Sequence, residues 1–425
     1  MRTSPYRPLY QHNWQQIRGA VSLAGTSFER VTLRVQQMHL RIADVTFRNL
    51  AMAPVVNVGA AAFRPLHHGV TNGIYRIVRG VGGVAFKALD LALAGMARSQ
   101  NPPLAAKAIP APVVSAVNGA FGDYLLRNRN PLALRMGFYQ HGKPLAMRTA
   151  ALQAHHTQLS SKLVVFVHGL CCDESAWEMF RKPPLEDNKP YGEQLQALGY
   201  TPFYLRYNTG IKINLNGRML SHMLGKLCRA YPQPIEQIVL IGHSMGGLVS
   251  RSAIEHGMQH KAEWTRHLSH LFCLGSPHLG APLEKAVHIG TAVLGAFSVT
   301  QPLAAMIDDR SIGIQNLRHG HTRHPQHDAS LPTRPPHSHF HFIGSSMGRG
   351  RAGLISQLVG DGLVRLDSAT PGDVADDITE IAQANHLQLL NHPQVFAAIA
   401  SKLGLAPASA PAVTQDSASS ATQHV

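Results

Sequence analysis

From residue 131 onward, short apolar runs alternate with helical stretches, and this alternation constrains the fold more than any other feature of the chain. The runs are KLVVFV (162–167), TPFYLRY (201–207), QIVLIG (237–242), LSHLFCLG (268–275), HFHFIGSS (339–346) and DITEIA (377–382). Short, uniformly apolar strands that each return through a helix predict an α/β architecture: a mostly parallel central sheet with helices on both faces. Ahead of them, MGFYQHGKPLAMR reads as a hairpin turning at His141-Gly142, and a helix over 387–403 closes the domain.

Residues 1–130 are of a different kind and read as a basic helical extension. From Phe28, apolar residues recur at Val31, Val35, Met38, Ile42 and Val45, the spacing of one helix face, with Arg30, Arg34, Arg41 and Arg48 mostly outside it. A second helix is expected to start after Thr71-Asn72 and to align Ile74, Ile77, Val81, Ala85 and Leu89. A short third helix covers Val114 to Leu126. The first 150 residues hold 18 Lys and Arg against 4 Asp and Glu, so nearly all of the chain's formal charge of +15 sits there. Two readings of that charge stand side by side. Arginine-rich amphipathic helices can dock peripherally on an anionic surface, a membrane or a lipid body. They can equally pack on the α/β domain with their arginines solvated. A nucleic-acid partner is disfavoured, because aromatic interleaving and a recognisable binding module are lacking.

Four cysteines (Cys171, Cys172, Cys228, Cys273) make no disulfide framework for a chain of 425 residues and lack metal-type spacing, which suits reduced thiols in a cytoplasmic protein. The first residues lack the apolar stretch of a secretory signal. No window reaches the roughly 18 uncharged apolar residues of a spanning helix. The last residues, 405–425, read as a disordered tail.

The chemistry centres on I-G-H-S-M-G-G at 241–247, where a buried strand meets a helix start. A tight turn there exposes the Ser244 hydroxyl, and Gly242 and Gly246 leave room for neighbouring backbone. The following helix aims its positive end at a developing oxyanion. V-F-V-H-G-L at 165–170 ends another strand, and its loop can supply a second donor. Leu170 and Met245 are the candidate backbone N–H donors of an oxyanion hole. His168 reads as a turn histidine that hydrogen-bonds backbone and shapes this loop.

A serine hydroxyl needs a base, and the base needs an acid to hold its tautomer. Where the serine sits on such an elbow, the acid and then the histidine follow it along the chain. G-D-G-L-V at 360–364 offers Asp361, and A-N-H-L-Q-L-L at 384–390 offers His386. The rival acids Asp367, Asp376, Asp377 and Glu380 read as solvated loop or strand-edge charges, and His392 as facing solvent in or beside the final helix. The histidine-dense stretch from His319 to His341 is broken by prolines and reads as a loop, without a defined metal spacing.

In this order, H-G-L, G-H-S-M-G-G, G-S-P-H-L-G-A-P (275–282), G-D-G-L-V and N-H-L-Q-L-L resemble the bacterial lipase/esterase and PGAP-type (GPI inositol-deacylase-like) branch of the α/β-hydrolases. The resemblance spans residues 131–404. It implies the α/β-hydrolase fold and cleavage of carboxylic esters, lipid-like ones foremost, through an acyl-serine intermediate. Ser244, Asp361 and His386 would form its triad, and about 283–320 a helical lid insertion. It brings no cofactor, and no acidic pair supports the calcium site of some secreted relatives, so no metal is carried over. An acyltransferase on the same triad, or a non-catalytic membrane-associated scaffold of the same fold, stays open.

Overall fold

The structure is a computed structural model, and it describes residues 9–51, 57–98, 109–156, 158–179, 189–278, 312–313, 316, 334–346, 376–382 and 384–405. Eight strands form one sheet: β1 (Gly137–Gln140), β2 (Lys143–Pro144), β3 (Lys162–Val167), β4 (Thr201–Arg206), β5 (Gln237–His243), β6 (Leu268–Leu274), β7 (His339–Ser346) and β8 (Asp377–Ala382). Their spatial order is β2-β1-β4-β3-β5-β6-β7-β8. The β1–β2 and β1–β4 pairs are antiparallel and all others parallel. Each apolar run of the sequence is one of these strands. Leu163 to Val167 and Ile238 to Ile241 are buried without interruption, which a sheet covered on both faces requires. At the β1–β2 turn, His141 and Gly142 both take positive φ, 48° and 76°, the twist-matched geometry of a two-residue hairpin.

Helices α4 (Thr149–His155), α5 (Tyr191–Ala197), α6 (Ile213–Ala230), α7 (Met245–Gln259) and α8 (Pro393–Lys402) accompany the sheet. The closing helix is not continuous over 387–403. A 3-10 turn, His386–Asn391, comes first, and α8 begins only at Pro393. Proline has no N–H to give an earlier turn and suits the first helical position, so the break falls where the sequence puts it.

Three helices precede the sheet: α1 (Leu9–Ala51), α2 (Asn57–Arg98) and α3 (Ala111–Arg127). Thr71-Asn72 does not start α2. It lies inside the helix, where Thr71 is buried against α1 and Asn72 accepts from Gln36 Nε2 at 2.5 Å, so its polarity serves a helix–helix contact rather than a cap. Helix α3 packs on the sheet domain. Ala116 and Ala120 belong to its main core, Asn118 Nδ2 donates to Leu132 O at 2.8 Å, and Asn208 Nδ2 donates to Gly122 O at 3.0 Å. The α1–α2 pair is tied to this base through Asn130 Nδ2 to Gly19 O (3.0 Å) and Tyr124 OH to Thr26 Oγ1 (2.8 Å). Among the described residues no helix is long and apolar enough to cross a membrane. Of the expected lid at 283–320, only 312, 313 and 316 are described; Asn316 Oδ1 accepts from Ile213 N at 3.2 Å, at the start of α6. The tail after Leu405 lies outside the described residues.

Candidate active site

Strand β5 delivers its last residue, His243, to a sharp turn, and Ser244 follows with φ 53° and ψ −121° before α7 begins at Met245. A residue with a side chain adopts this region only at a cost of about 1–3 kcal/mol, and the surroundings enforce it. Ser244 N–H donates to Leu274 O at 2.8 Å, and Gly247 N–H reaches Ser244 O at 3.2 Å. A β-carbon at Gly246 would collide with Val167 O and lie 2.7 Å from His168 O; one at Gly242 would lie 2.5 Å from Gly247 N. The two glycines of G-x-S-x-G are therefore demanded by close backbone approach between the helix start and the ends of β3 and β5. Ser244 Oγ is buried and makes no hydrogen bond among the described residues.

The 168–172 loop lies against the serine, since a β-carbon at Gly169 would be 3.1 Å from Ser244 Cβ. Its neighbouring amides are committed: Cys171 N–H to Thr209 Oγ1 at 3.1 Å and Cys172 N–H to Gly169 O at 3.3 Å. Leu170 and Met245 are both fully buried, the one directly after Gly169 and the other directly after Ser244, and Met245, at the first position of α7, has no helical acceptor for its N–H. His168 behaves as a turn residue. Its Nδ1 meets Gly169 O at 2.9 Å, its ring stacks on Tyr207 with centroids 4.5 Å apart, and Tyr207 OH donates to His168 O at 2.8 Å. Cys171 and Cys172 are buried, and burial pushes the Cys171 thiol up to about 12.

Burial also pushes the His168 imidazole down to about 4, and this has a consequence for stability. Below the unfolded value near 6.5 the unfolded chain takes up a proton that the folded chain refuses until about 4, so the contribution is complete above 6.5 and is lost as pH falls through that window. Urea midpoints at a series of pH values should fall steadily below 6.5, and a His168→Asn variant should show a shallower fall. An equal slope in the variant would refute this role.

His386 is 1% exposed and opens the 3-10 turn. A capping box fixes it: Asn385 Oδ1 accepts from Leu387 N (3.1 Å) and Gln388 N (3.0 Å), while Gln388 Oε1 accepts from Asn385 N at 2.8 Å. The turn is bolted to the core by Asn391 Nδ2, which donates to Trp177 O and Met179 O at 2.8 and 2.7 Å. Tyr191 OH meets Leu389 O and His392 O at 3.0 and 3.1 Å. The imidazole comes to the immediate surroundings of Ser244. Its ring centroid is 4.8 Å from that of His243, the residue before Ser244. Its Nδ1 would be 3.0 Å from a β-carbon on Gly275, the residue after the acceptor of Ser244 N–H. Gly275 takes φ +60°, and its lack of a side chain is what admits the ring.

Asp361 lies outside the described residues, as does Asp367. Two rival acids are otherwise engaged. Asp376 accepts both Arg334 guanidinium nitrogens, at 2.6 and 2.9 Å, and the Phe340 N–H at 2.7 Å; despite some desolvation, these bonds hold its carboxyl below the usual range. Asp377 meets Lys402 Nζ at 3.1 Å. His392 is half-buried and caps α8 through its side chain, which differs from an idle solvent-facing residue.

Two supports escaped the sequence reading. His243 Nε2 contacts His386 O at 3.0 Å, so the residue before Ser244 holds the histidine turn. His278, of G-S-P-H, meets Arg251 Nη1 at 2.9 Å and stacks on Phe342 with centroids 4.3 Å apart, fixing the end of β6 to α7. Both lie inside the G-H-S-M-G-G and G-S-P-H-L-G-A-P motifs; the signal was present, but glycine, serine and histidine spacing does not say which partner each will meet. Among the described residues no group of His, Cys, Asp and Glu has metal-holding geometry.

Residues 157–324 match a family model described as "Putative serine esterase (DUF676)". No curated protein matches the sequence. Among solved structures, the mature lipase BlEst2 of Bacillus licheniformis is similar at 20% identity, over 58% of this chain and 94% of its own, with a TM-score of 0.41. A thermophilic esterase from Thermogutta terrifontis shares 14% identity over 58% of this chain and 91% of its own, TM-score 0.36. Aspergillus fumigatus lipase B shares 11% over 61% and 58%, TM-score 0.34. The fold stands on the strand order and register of this chain.

Proposed function

We propose, from the premise that the chain is an α/β-hydrolase whose residues 157–324 match a serine esterase family, that it cleaves lipid-like carboxylic esters through an acyl-serine intermediate. It is a carboxylic ester hydrolase. The observation that carries the mechanism is the elbow: a buried serine at φ 53°, with a glycine-backed loop on one side and a capped histidine turn on the other. Ser244 Oγ attacks the ester carbonyl, and His386 takes its proton and later returns it to the departing alcohol. Leu170 and Met245 N–H stabilise the oxyanion. Asp361 holds the imidazole tautomer. Water then attacks the acyl-enzyme with His386 again as base, releasing the acid. The apolar character of the 283–320 segment favours a lipid-like acyl chain, met at a membrane or lipid-body surface through the N-terminal helices.

A fluorophosphonate probe followed by peptide mapping tests the chemistry. Labelling is expected at Ser244 and absent in Ser244→Ala; undiminished labelling of the variant sinks the assignment. A panel of esters of graded chain length tests the substrate class. Rates that rise with chain length and jump when the ester forms an interface are expected, and a preference confined to the shortest esters would remove the lipid reading while leaving the esterase.

A further inference from the structure

The α1–α2 hairpin is sealed at its open end by apolar contacts, Trp14 with Leu93 and Ala97 and then Phe28 with Phe86, but beyond Phe28 it is built inside out. There polar side chains lie between the helices: Thr32, Gln36 and Thr71 are buried, Gln36 donates to Asn72, and Arg79 donates to Gln36. On the outside lie the apolar stripes. Val31, Val35, Met38, Ile42 and Val45 recur along α1, and Phe63, Ile74, Ile77, Val81, Val84 and Leu91 along α2, each between 41% and 72% exposed. An amphipathic hairpin that meets only water puts these two classes the other way round.

We infer that the exposed apolar stripes of α1 and α2 form a docking surface for an anionic lipid bilayer, on which the hairpin lies rather than spans. The inference rests on the lipid-surface reading above and assigns that contact to particular residues. Charge selects this occupant over a second copy of the chain. Residues 9–98 carry 10 Lys and Arg against 3 Asp and Glu. Of the three acids, Asp44 is paired with Arg64 at 2.7 Å and Asp90 with Arg18 at 2.9 Å. Arg41, Arg48, Arg76 and Lys87 stand exposed along the same helices. Two such surfaces brought face to face repel, whereas acidic headgroups attract both. Arginines spread along the length of α1, at 30, 34, 41 and 48, rule against insertion end-on and suit a helix lying in the headgroup plane.

Flotation of the full chain with phosphatidylglycerol–phosphatidylcholine vesicles, and with phosphatidylcholine alone, tests this. Binding to the anionic vesicles is expected to fall about 10²-fold in Ile42→Asn/Ile77→Asn/Val81→Asn, and by a similar factor in Arg41→Gln/Arg48→Gln/Arg76→Gln. Both triple variants should keep far-UV circular dichroism and fluorophosphonate labelling. Absence of flotation by the parent chain, or equal flotation by the apolar variant, overturns the inference. So does a parent dimer that the apolar variant converts to monomer without any vesicle binding. Flotation by a chain that no fluorophosphonate labels upholds the docking surface and removes the hydrolase reading instead.

Discussion

Ser244→Ala is expected to lower kcat for a carboxylic ester by about 10⁴-fold or more, with KM changed far less, because the hydroxyl contributes to bond making and little to ground-state binding. His386→Ala should cost about as much. The decisive measurement is the double variant: groups that act as one unit are strongly non-additive, so the pair should be no slower than either single change. Additive losses would mean that the two residues serve separate steps. Asp361→Asn should cost less than either, about 10–10²-fold less, if the proposed acid orients the base without exchanging a proton with substrate. Asp367→Asn should leave kcat within a few-fold of the parent. With Asp376 held by Arg334 and Asp377 by Lys402, this comparison decides the acid. Far-UV circular dichroism and the urea midpoint guard against unfolding, since Ser244 and His386 both lie in tightly packed turns.

The second large effect concerns stability. Arg206, the last residue of β4, and Glu174, in the 3-10 turn Glu174–Glu178, form a two-pronged ion pair with side chains 10% and 6% exposed; one arm, Arg206 Nε to Glu174 Oε2, is 2.6 Å. The Tyr139 ring lies 4.0 Å from the guanidinium carbon, closing the site from β1. Arg206→Met leaves a buried carboxylate without its cation and is expected to cost about 3–5 kcal/mol in urea denaturation. Arg206→Met/Glu174→Leu should recover most of that loss, because two apolar side chains remove both the attraction and the desolvation penalty. A single variant within about 1 kcal/mol of the parent would show that the pair is not desolvated. Glu174 follows Cys171, Cys172 and Asp173, so the single change should also slow turnover through the 168–172 loop, and the double variant should restore it.

Much of this was legible in the amino-acid sequence for a definite reason. A strand buried on both faces must be a short unbroken apolar run, and β3 to β8 each matched one to within a residue or two. The serine elbow was equally plain, because only glycine fits where α7 meets the ends of β3 and β5. Other readings failed where one residue type serves two purposes. Thr71-Asn72 has the composition of a cap, yet the same polarity builds the buried seam with Gln36. His392 caps a helix where the sequence predicted one continuous helix over 387–403.

The N-terminal stripe shows where the boundary falls. The 3.6-residue period of Val31, Val35, Met38, Ile42 and Val45 established by itself that α1 has an apolar face, and the arginine count established its charge. Which way that face points was decided only in three dimensions. Periodicity fixes side chains relative to their own helix axis, whereas burial depends on what packs beside it. Here Gln36, Asn72 and Arg79 satisfy one another between the helices and leave the valines and isoleucines outside. The candidate site divides in the same manner: sequence order singled out Ser244 and His386, and the long-range contacts of His386 with His243 and Gly275 set their two turns side by side.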